Sequence, residues 1–287
     1  MDVSLPDIET LAPRKSFVGG RIGYPKQELF LWLLIKKTMG WDYRTVADMA
    51  GVSHPTLIRA NHKFARLNVY QKILITTVKN AYKEGLIKGQ KVALDSSFVK
   101  TYSRREEIGS GGWNGHKESY GFKLHALIDA ESGALIALIT GNGLTHDSQV
   151  AIPLLKRARP WLKRCGYVLA DKGYDDTKIV EYIFKSLKAK AGIPIKKTYK
   201  GKDKAKILRR ERGGNFANWK LKARGRTVKK SILNKRTEVE RLFSVLKRTF
   251  KLGMEKTRGI QAFIENTYLA CICYMIRKLW SFGITQV

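Results

Sequence analysis

The sequence predicts an α/β protein in which a mixed β-sheet is flanked by helices and preceded by an all-helical N-terminal region. From residue 27 to about residue 88 the apolar residues follow helical spacing, after an irregular arm over 1–26, and from Lys91 they form short runs rich in β-branched and aliphatic residues. Three such runs, then helix, strand, helix and strand, are typical of a mixed sheet covered by helices. We therefore predict an N-terminal helical region over 1–88 and a second domain over 89–287.

The N-terminal region carries the spacing of a helix-turn-helix. An apolar helix over 27–39 is followed by a short helix over 45–50, and a turn at Gly51 leads to a second helix that opens at Ser53. The second helix carries side chains able to reach bases and phosphates: His54, Thr56, Arg59, Asn61, His62 and Lys63. We select Arg59, Asn61 and Lys63 as DNA-contact candidates. The same two-helix pattern also occurs in proteins that never bind DNA.

The second domain is predicted to open with three strands, KVALDSSF, YGFKLHALID and ALIALIT, with a tight turn at 129–133 joining the last two. A helix over 148–164, the strand GYVLAD, a helix over 177–188 and the strand AGIPIKK follow. Two long helices, about 234–252 and 260–280, close the chain.

The charge of the chain points to a polyanionic partner. The chain has 55 Lys and Arg residues against 24 Asp and Glu residues, a formal net charge of +31. Nucleic acid is the leading partner, although ribosome-associated and heat-adapted proteins are basic as well. The segment at about 198–230 is the most basic and is predicted to be a nucleic-acid-facing insertion. Within it, Trp219 is a candidate for stacking on an unpaired base, with packing inside the insertion as the alternative.

Other compositional features exclude several classes of protein. No apolar run approaches the roughly 20 residues needed to span a bilayer, and the first ten residues lack the pattern of a secretion signal. We therefore expect a cytoplasmic protein, and the three cysteines suit a reducing compartment. Cys271 and Cys273 form a C-x-C pair in apolar surroundings, for which buried packing is expected in preference to a metal site.

Two aspartates stand at predicted strand positions. Asp95 lies inside VALDSS and Asp171 ends YVLAD, and a carboxylate in a buried strand is costly unless positive charge meets it. Asp95 alternatively hydrogen-bonds the amides that follow it, and Asp171 alternatively caps a turn. The presence of both favours a shared metal site.

The segment 235–248, KRTEVERLFSVLKR, reads as an amphipathic helix. Its apolar stripe is formed by Val239, Leu242, Phe243 and Leu246. Arg236, Glu240 and Lys247 lie along one border of that stripe, and Glu238 lies at the opposite border. The spacing does not decide between the two glutamates, and a simple Arg–Glu pair on a solvated face remains an alternative.

Taken in order, these motifs resemble insertion-sequence transposases that have a ribonuclease-H-like catalytic domain with an Asp-Asp-Glu triad. The motif on the helix at 235–248 is similar to the Tyr-x2-Arg-x3-Glu-x6-Lys signature of one group of these transposases, with Leu233 at the tyrosine position. Four further segments resemble the same group: RIGYP at 21–25, GFKLHALID, THDS at 145–148 and LADKGYD at 169–175. The resemblance covers nearly the whole chain, least clearly 198–230.

The resemblance implies that Asp95, Asp171 and Glu240 hold Mg²⁺ ions, with Mn²⁺ as a substitute. Arg236 and Lys247 would hold phosphates or orient Glu240. Lys123 and His125 alternate on one strand, so both face the site or both face solvent. The implied function is cleavage of DNA at the terminal inverted repeats of the element and joining of the 3′-OH ends to target DNA, by a homodimer or larger assembly associated with a prokaryotic nucleoid.

Three other functions remain open from the sequence. A structure-specific nuclease would cut without joining, and a DNA-binding regulator would retain the fold without the chemistry. Generic RNA binding would leave the placement of Asp95, Asp171 and Glu240 unexplained.

Overall fold

The computed structural model describes residues 8–11, 23–102, 111–115, 117–194, 230–254 and 258–283. Trp219 and the predicted basic insertion, except Lys230, lie outside these residues. The chain divides into two compact units, each assembled from separate stretches. Unit 1 takes in Met1–Leu86, Val99–Phe122 and Ser244–Val287, and unit 2 takes in Ile87–Phe98 and Lys123–Phe243.

This division differs in composition from the predicted one. The first stretch of unit 1 ends at Leu86, close to the boundary predicted at residue 88. Unit 1 also contains the C-terminal stretch from Ser244, which the sequence analysis grouped with the sheet. The reason is packing: the last helix of the chain contacts the N-terminal helices, and sequence periodicity gives no information about such long-range partners.

Unit 1 is mainly helical. Its helices are α1 (Ile8–Leu11), α2 (Lys26–Met39), α3 (Tyr43–Ala50), α4 (His54–Arg66) and α5 (Val69–Lys83), together with the C-terminal α10 (Gly259–Ser281). The Asp42 carboxylate begins α3 by accepting the backbone N–H groups of Arg44 and Thr45, at 2.8 and 2.9 Å. Gly51 ends α3 in the left-handed conformation, with φ at 63°. The predicted helix-turn-helix spacing is therefore present in α3 and α4.

The core of unit 1 contains an aromatic cluster. Phe30, Phe64 and Tyr70, from α2, α4 and α5, are buried with ring centroids 6.0–6.2 Å apart. Helix α10 packs against the same three helices. Cys271 and Cys273 are buried free thiols on α10, as expected for packing residues.

A buried polar network also joins α4 to α10. Glu265 of α10 is 2% exposed and accepts a hydrogen bond from Nδ2 of Asn61 at 2.6 Å. Nδ1 of His62 lies 2.7 Å from the same carboxylate, and Tyr70 donates its hydroxyl hydrogen to Oδ1 of Asn61. Asn61 is itself 3% exposed. Its selection as a DNA contact is therefore corrected, because the amide is committed to a buried carboxylate.

The sheet has six strands: β1 (Lys91–Lys100), β2 (Gly112–Asn114), β3 (Ser119–Asp129), β4 (Leu135–Asn142), β5 (Tyr167–Ala170) and β6 (Lys190–Gly192). Their order is β2-β3-β1-β5-β6, and β4 pairs with β3. The pairs β1–β5 and β5–β6 are parallel and β2–β3 is antiparallel, so the sheet is mixed as predicted. Four of the predicted strands are present, and of the fifth, predicted over 191–197, the described residues contain only the short β6 (Lys190–Gly192). The three-residue β2 was not predicted.

Two of the described helices pack on the sheet in unit 2, and two further helices follow the last strand along the chain. α6 (Asp147–Ala158) contacts β4, and α7 (Thr177–Leu187) contacts β6. The helix predicted over 234–252 is divided into a short α8 (Lys230–Asn234) and α9 (Thr237–Arg248). Among the residues that the structure describes, no helix is both long and apolar enough to cross a membrane.

The turn between β3 and β4 is organised by Asp129, which is 1% exposed. One carboxylate oxygen accepts the N–H groups of Lys88 and Gly89 at 2.9 and 2.8 Å. The other accepts those of Glu131 and Ser132, both at 3.0 Å. These four backbone donors hold the carboxylate in place, so Asp129 has a structural role that connects the hairpin to the entry of β1.

We predict that Glu265→Ala destabilises the protein by about 3 kcal/mol, because it leaves the buried Asn61 amide without its acceptor. Urea unfolding measures the change. Glu84→Ala removes an exposed carboxylate just after α5 and is expected to change stability by less than about 0.5 kcal/mol. Equal effects of the two substitutions would contradict the structural role of the network.

Candidate active site

Two aspartates of unit 2 lie on neighbouring parallel strands, Asp95 inside β1 and Asp171 directly after β5. The register of β1 and β5 pairs Leu94 with Ala170, and Asp95 and Asp171 are the next residues on the two strands. Adjacent strands lie about 4.8 Å apart, so the two residues are side by side at one end of the sheet. The sheet register therefore brings together the two acids that the sequence analysis selected.

The Asp95 carboxyl group lies in an environment that disfavours its charge. Burial raises its pKa to about 6, and the negative charges of Asp147 and Asp171 act in the same direction. The backbone N–H of Ser96, at 2.8 Å, and the Arg236 guanidinium lower the pKa but do not cancel the effect of burial. The hydrogen bond to the following amide is thus present, and it accounts for only part of the electrostatics.

Asp171 stands at the start of the short 3-10 turn Lys172–Tyr174. Among the described residues, its side chain makes no capping hydrogen bond to that turn, which is closed instead by the Asp171 carbonyl accepting the N–H of Tyr174 at 3.0 Å. The alternative of a side-chain cap therefore lacks support, and the carboxylate remains near Asp95.

Helix α9 presents its two glutamates on different sides, as its periodicity predicts. The apolar stripe is buried: Val239, Leu242, Phe243 and Leu246 are at most 7% exposed. Oε1 of Glu240 lies 3.1 Å from Nη1 of Arg236, one turn earlier. Arg236 also acts electrostatically on Asp95, so this guanidinium connects the helix glutamate to the strand aspartate. Glu238 instead pairs with Arg241.

Lys247 lies near the end of α9, in the stretch that belongs to unit 1. Its side chain is half-buried. Burial lowers its pKa, and the positive charge of Lys117 in the same unit lowers it further. Two cations in one place favour an anionic partner such as a phosphate.

A fourth carboxylate, Asp147 in the first turn of α6, belongs to the same cluster in unit 2. Its Oδ1 accepts a hydrogen bond from Oγ of Ser96 at 2.8 Å and another from Nζ of Lys123 at 3.1 Å. The sequence analysis quoted Asp147 within THDS but gave it no role. The THDS motif was the sequence feature that could have indicated a role for Asp147. Its neighbours could not be predicted, because only the fold shows that α6 begins beside β1 and β3.

The side chains of Lys123 and His125, which alternate on β3, both face Asp147. Of the two arrangements that the alternation allowed, they therefore adopt the one that faces the carboxylate cluster. Nζ of Lys123 also donates to the carbonyl oxygen of Thr145 at 3.0 Å. His125 is 1% exposed, and its Nδ1 lies 3.8 Å from Oδ1 of Asp147. Burial lowers the pKa of His125 to about 4, so the ring is neutral at physiological pH. Because the ring is buried, the structure lends no support to the selection of His125 as a DNA contact, which stays a prediction.

The remaining candidate contacts lie on α4 in unit 1. Arg59 is exposed and Lys63 is half-buried. Both side chains remain candidates for contact with a nucleic-acid backbone.

The donor set of the cluster consists of carboxylate oxygens, which are the ligands that Mg²⁺ prefers. In the described part of the chain, no three His, Cys, Asp or Glu side chains are gathered closely enough to hold one metal ion. In unit 2, the described Lys and Arg partners of the four carboxylates are Lys123 and Arg236. This arrangement leaves an excess of negative charge that a divalent cation would offset.

The fold and the strand aspartates define an α/β domain with a mixed sheet and neighbouring carboxylates on two of its parallel strands. The family of the Transposase DDE domain matches residues 87–276, about two thirds of the chain. The protein therefore belongs to the DDE transposase family, as the motif resemblance predicted.

A solved structure supports the assignment of the fold. A cryo-EM structure of the piggyBac transposase synaptic complex with hairpin DNA matches 100% of this chain and 73% of that chain, with a TM-score of 0.52 and 12% identity. This likeness confirms the ribonuclease-H-like sheet flanked by helices. A Mos1 transposase paired-end complex with the left transposon end matches 91% of this chain and 82% of that chain at 13% identity, but its TM-score of 0.25 is too low to carry an argument. No curated protein matches the chain with a significant score.

Proposed function

We propose that this protein binds the two ends of a mobile DNA element, cleaves phosphodiester bonds there and joins the 3′-OH ends to target DNA. The proposal rests on one observation above all. Asp95 and Asp171 stand side by side where the parallel pairing of β1 and β5 ends, in a chain that belongs to the DDE transposase family. A net charge of +31 suits the polyanionic substrate.

The carboxylate oxygens of these residues fit a divalent metal ion in their chemistry. Asp95 and Asp171 would hold Mg²⁺ through their carboxylates, Glu240 would complete the set, and Mn²⁺ would substitute. Bound divalent ions supply an activated water or 3′-OH and stabilise the leaving oxygen. The raised pKa of Asp95 is itself a reason to expect a cation, because a nearby positive charge stabilises the ionised carboxylate.

Arg236 has two roles in this proposal. Its guanidinium stabilises the negative charges of Glu240 and Asp95 in the protein alone. When a DNA strand lies along the cluster, the same fork-shaped group is suited to bind a phosphate. Lys247, with Lys117 beside it, would provide a second phosphate contact.

The helix-turn-helix of unit 1 is proposed to bind the terminal inverted repeats. Arg59 offers an exposed cation on α4, and Lys63 lies one turn further along the same helix. Because two element ends must be processed together, we propose a homodimer or larger assembly on DNA. A nuclease that cuts and never joins is the alternative within the same chemistry, and an assay for strand transfer of labelled 3′-OH ends distinguishes the two.

We predict that Glu240→Gln lowers Mg²⁺-dependent cleavage of the flanking element ends by more than roughly a hundredfold, since it removes a charged ligand. Gel analysis of nicked products measures cleavage, and mobility shift in the absence of Mg²⁺ is expected to show unchanged DNA binding. The matched control is Glu238→Gln, two residues away and paired with Arg241. Equal cleavage by wild type and Glu240→Gln would contradict the assignment of Glu240 as a metal ligand.

We predict that Arg59→Ala weakens binding to an element-end duplex by about tenfold at 0.1 M salt and reduces the slope of log affinity against log salt by about one, because one phosphate contact is lost. Fluorescence anisotropy over a salt series measures both. Lys83→Ala, which removes an exposed cation in the last turn of α5, is the control. An unchanged slope for Arg59→Ala would exclude a phosphate contact by this side chain.

A further inference from the structure

Asp147 is not one of the proposed metal ligands, yet its carboxylate accepts side-chain hydrogen bonds from two residues of the cluster. Its Oδ1 accepts hydrogen bonds from Ser96 and Lys123 at 2.8 and 3.1 Å. The Thr145 carbonyl oxygen, 3.0 Å from Nζ of Lys123, holds the same ammonium group from a second direction. Lys123 is therefore fixed at two points in the loop and first turn that open α6.

The ammonium group of Lys123 lies where it could pair with a carboxylate that the proposal assigns to the cation. Its ammonium group lies in the same cluster as two strand carboxylates, because Asp147 contacts both Lys123 and the serine that follows Asp95. An ammonium group on a flexible four-carbon chain pairs readily with any nearby carboxylate. A lysine paired with Asp95 would compete with a divalent cation for the same oxygens.

We propose that Asp147 is a positioning residue that retains Lys123 and thereby keeps the Asp95 and Asp171 carboxylates available to a divalent cation. This inference rests on the proposed metal site. In this proposal the Asp147 carboxylate serves Lys123 and Ser96, whose hydrogen bonds its Oδ1 accepts, and it is not assigned as a ligand of the cation. Its hydrogen bond from Ser96 has a second effect, since it fixes the residue whose amide donates to Asp95.

The test measures Mn²⁺ affinity of the full chain by electron paramagnetic resonance, which reports free Mn²⁺ and needs no activity. Asp147→Asn keeps the size of the side chain but releases Lys123, and it is expected to weaken Mn²⁺ binding by about 10–100-fold. Adding Lys123→Met to Asp147→Asn removes the competitor, and the double variant is expected to bind within about threefold of wild type. Asp48→Asn, an exposed aspartate of α3, controls for net charge.

Each outcome has a distinct meaning. If Asp147→Asn binds Mn²⁺ weakly and Lys123→Met fails to restore the affinity, Asp147 is a ligand and the positioning role is overturned. If Asp147→Asn binds as tightly as wild type, Asp147 has no role towards the cation. Lys123→Met alone, which tests the inference even if Asp147→Asn fails to fold, is expected to bind as tightly as wild type or more tightly, and weaker binding overturns the inference. A wild-type chain that binds no Mn²⁺ contradicts the proposed metal site as well, which separates that failure from the other outcomes.

Discussion

The repulsion between carboxylates at one end of the sheet is the constraint on which the rest of this account depends. Two unit charges about 5 Å apart repel by roughly 3 kcal/mol at an effective dielectric constant of 20. The parallel register of β1 and β5 imposes this proximity on Asp95 and Asp171, and Asp147 adds further negative charge nearby. Burial is the main cause of the raised pKa of Asp95, and the negative charges of Asp147 and Asp171 raise it further. A fold that keeps such an arrangement gains stability when a cation binds, which links the strand register to the proposed chemistry.

Asp129 shows that a buried carboxylate in this sheet need not be functional. It ends a strand, and Asp171 directly follows one, yet four backbone N–H groups hold the Asp129 carboxylate in place. Asp95 receives one such backbone bond and faces like charges. The contrast separates a turn-forming aspartate from a candidate ligand, and it depends on hydrogen-bond partners that sequence position does not reveal. Both residues satisfy the rule that buried carboxylates need compensation, by different means.

The sequence predicted the features that depend on local patterning. The period-2 and period-3.6 patterns located the strands, the helix-turn-helix and the buried stripe of α9, and the motif order selected Asp95, Asp171 and Glu240 as candidate metal ligands, which stay a prediction. Features that depend on long-range packing were out of reach. The burial of Asn61 requires the Glu265 partner 204 residues away in sequence, and the packing of α10 with the N-terminal helices is equally non-local. The burial of His125 and the contacts of Asp147 were not predicted for the same reason, since only the fold brings β3 and α6 beside β1.

A crystal structure of the protein grown with Mn²⁺ and element-end DNA tests the central claim most directly, because anomalous scattering locates the ion independently of any activity. This account predicts an anomalous peak about 2.1 Å from carboxylate oxygens of both Asp95 and Asp171, with Glu240 released from Arg236 to join them. An ordered complex with no ion between the two strand ends, and with Arg236 still paired to Glu240, would contradict it.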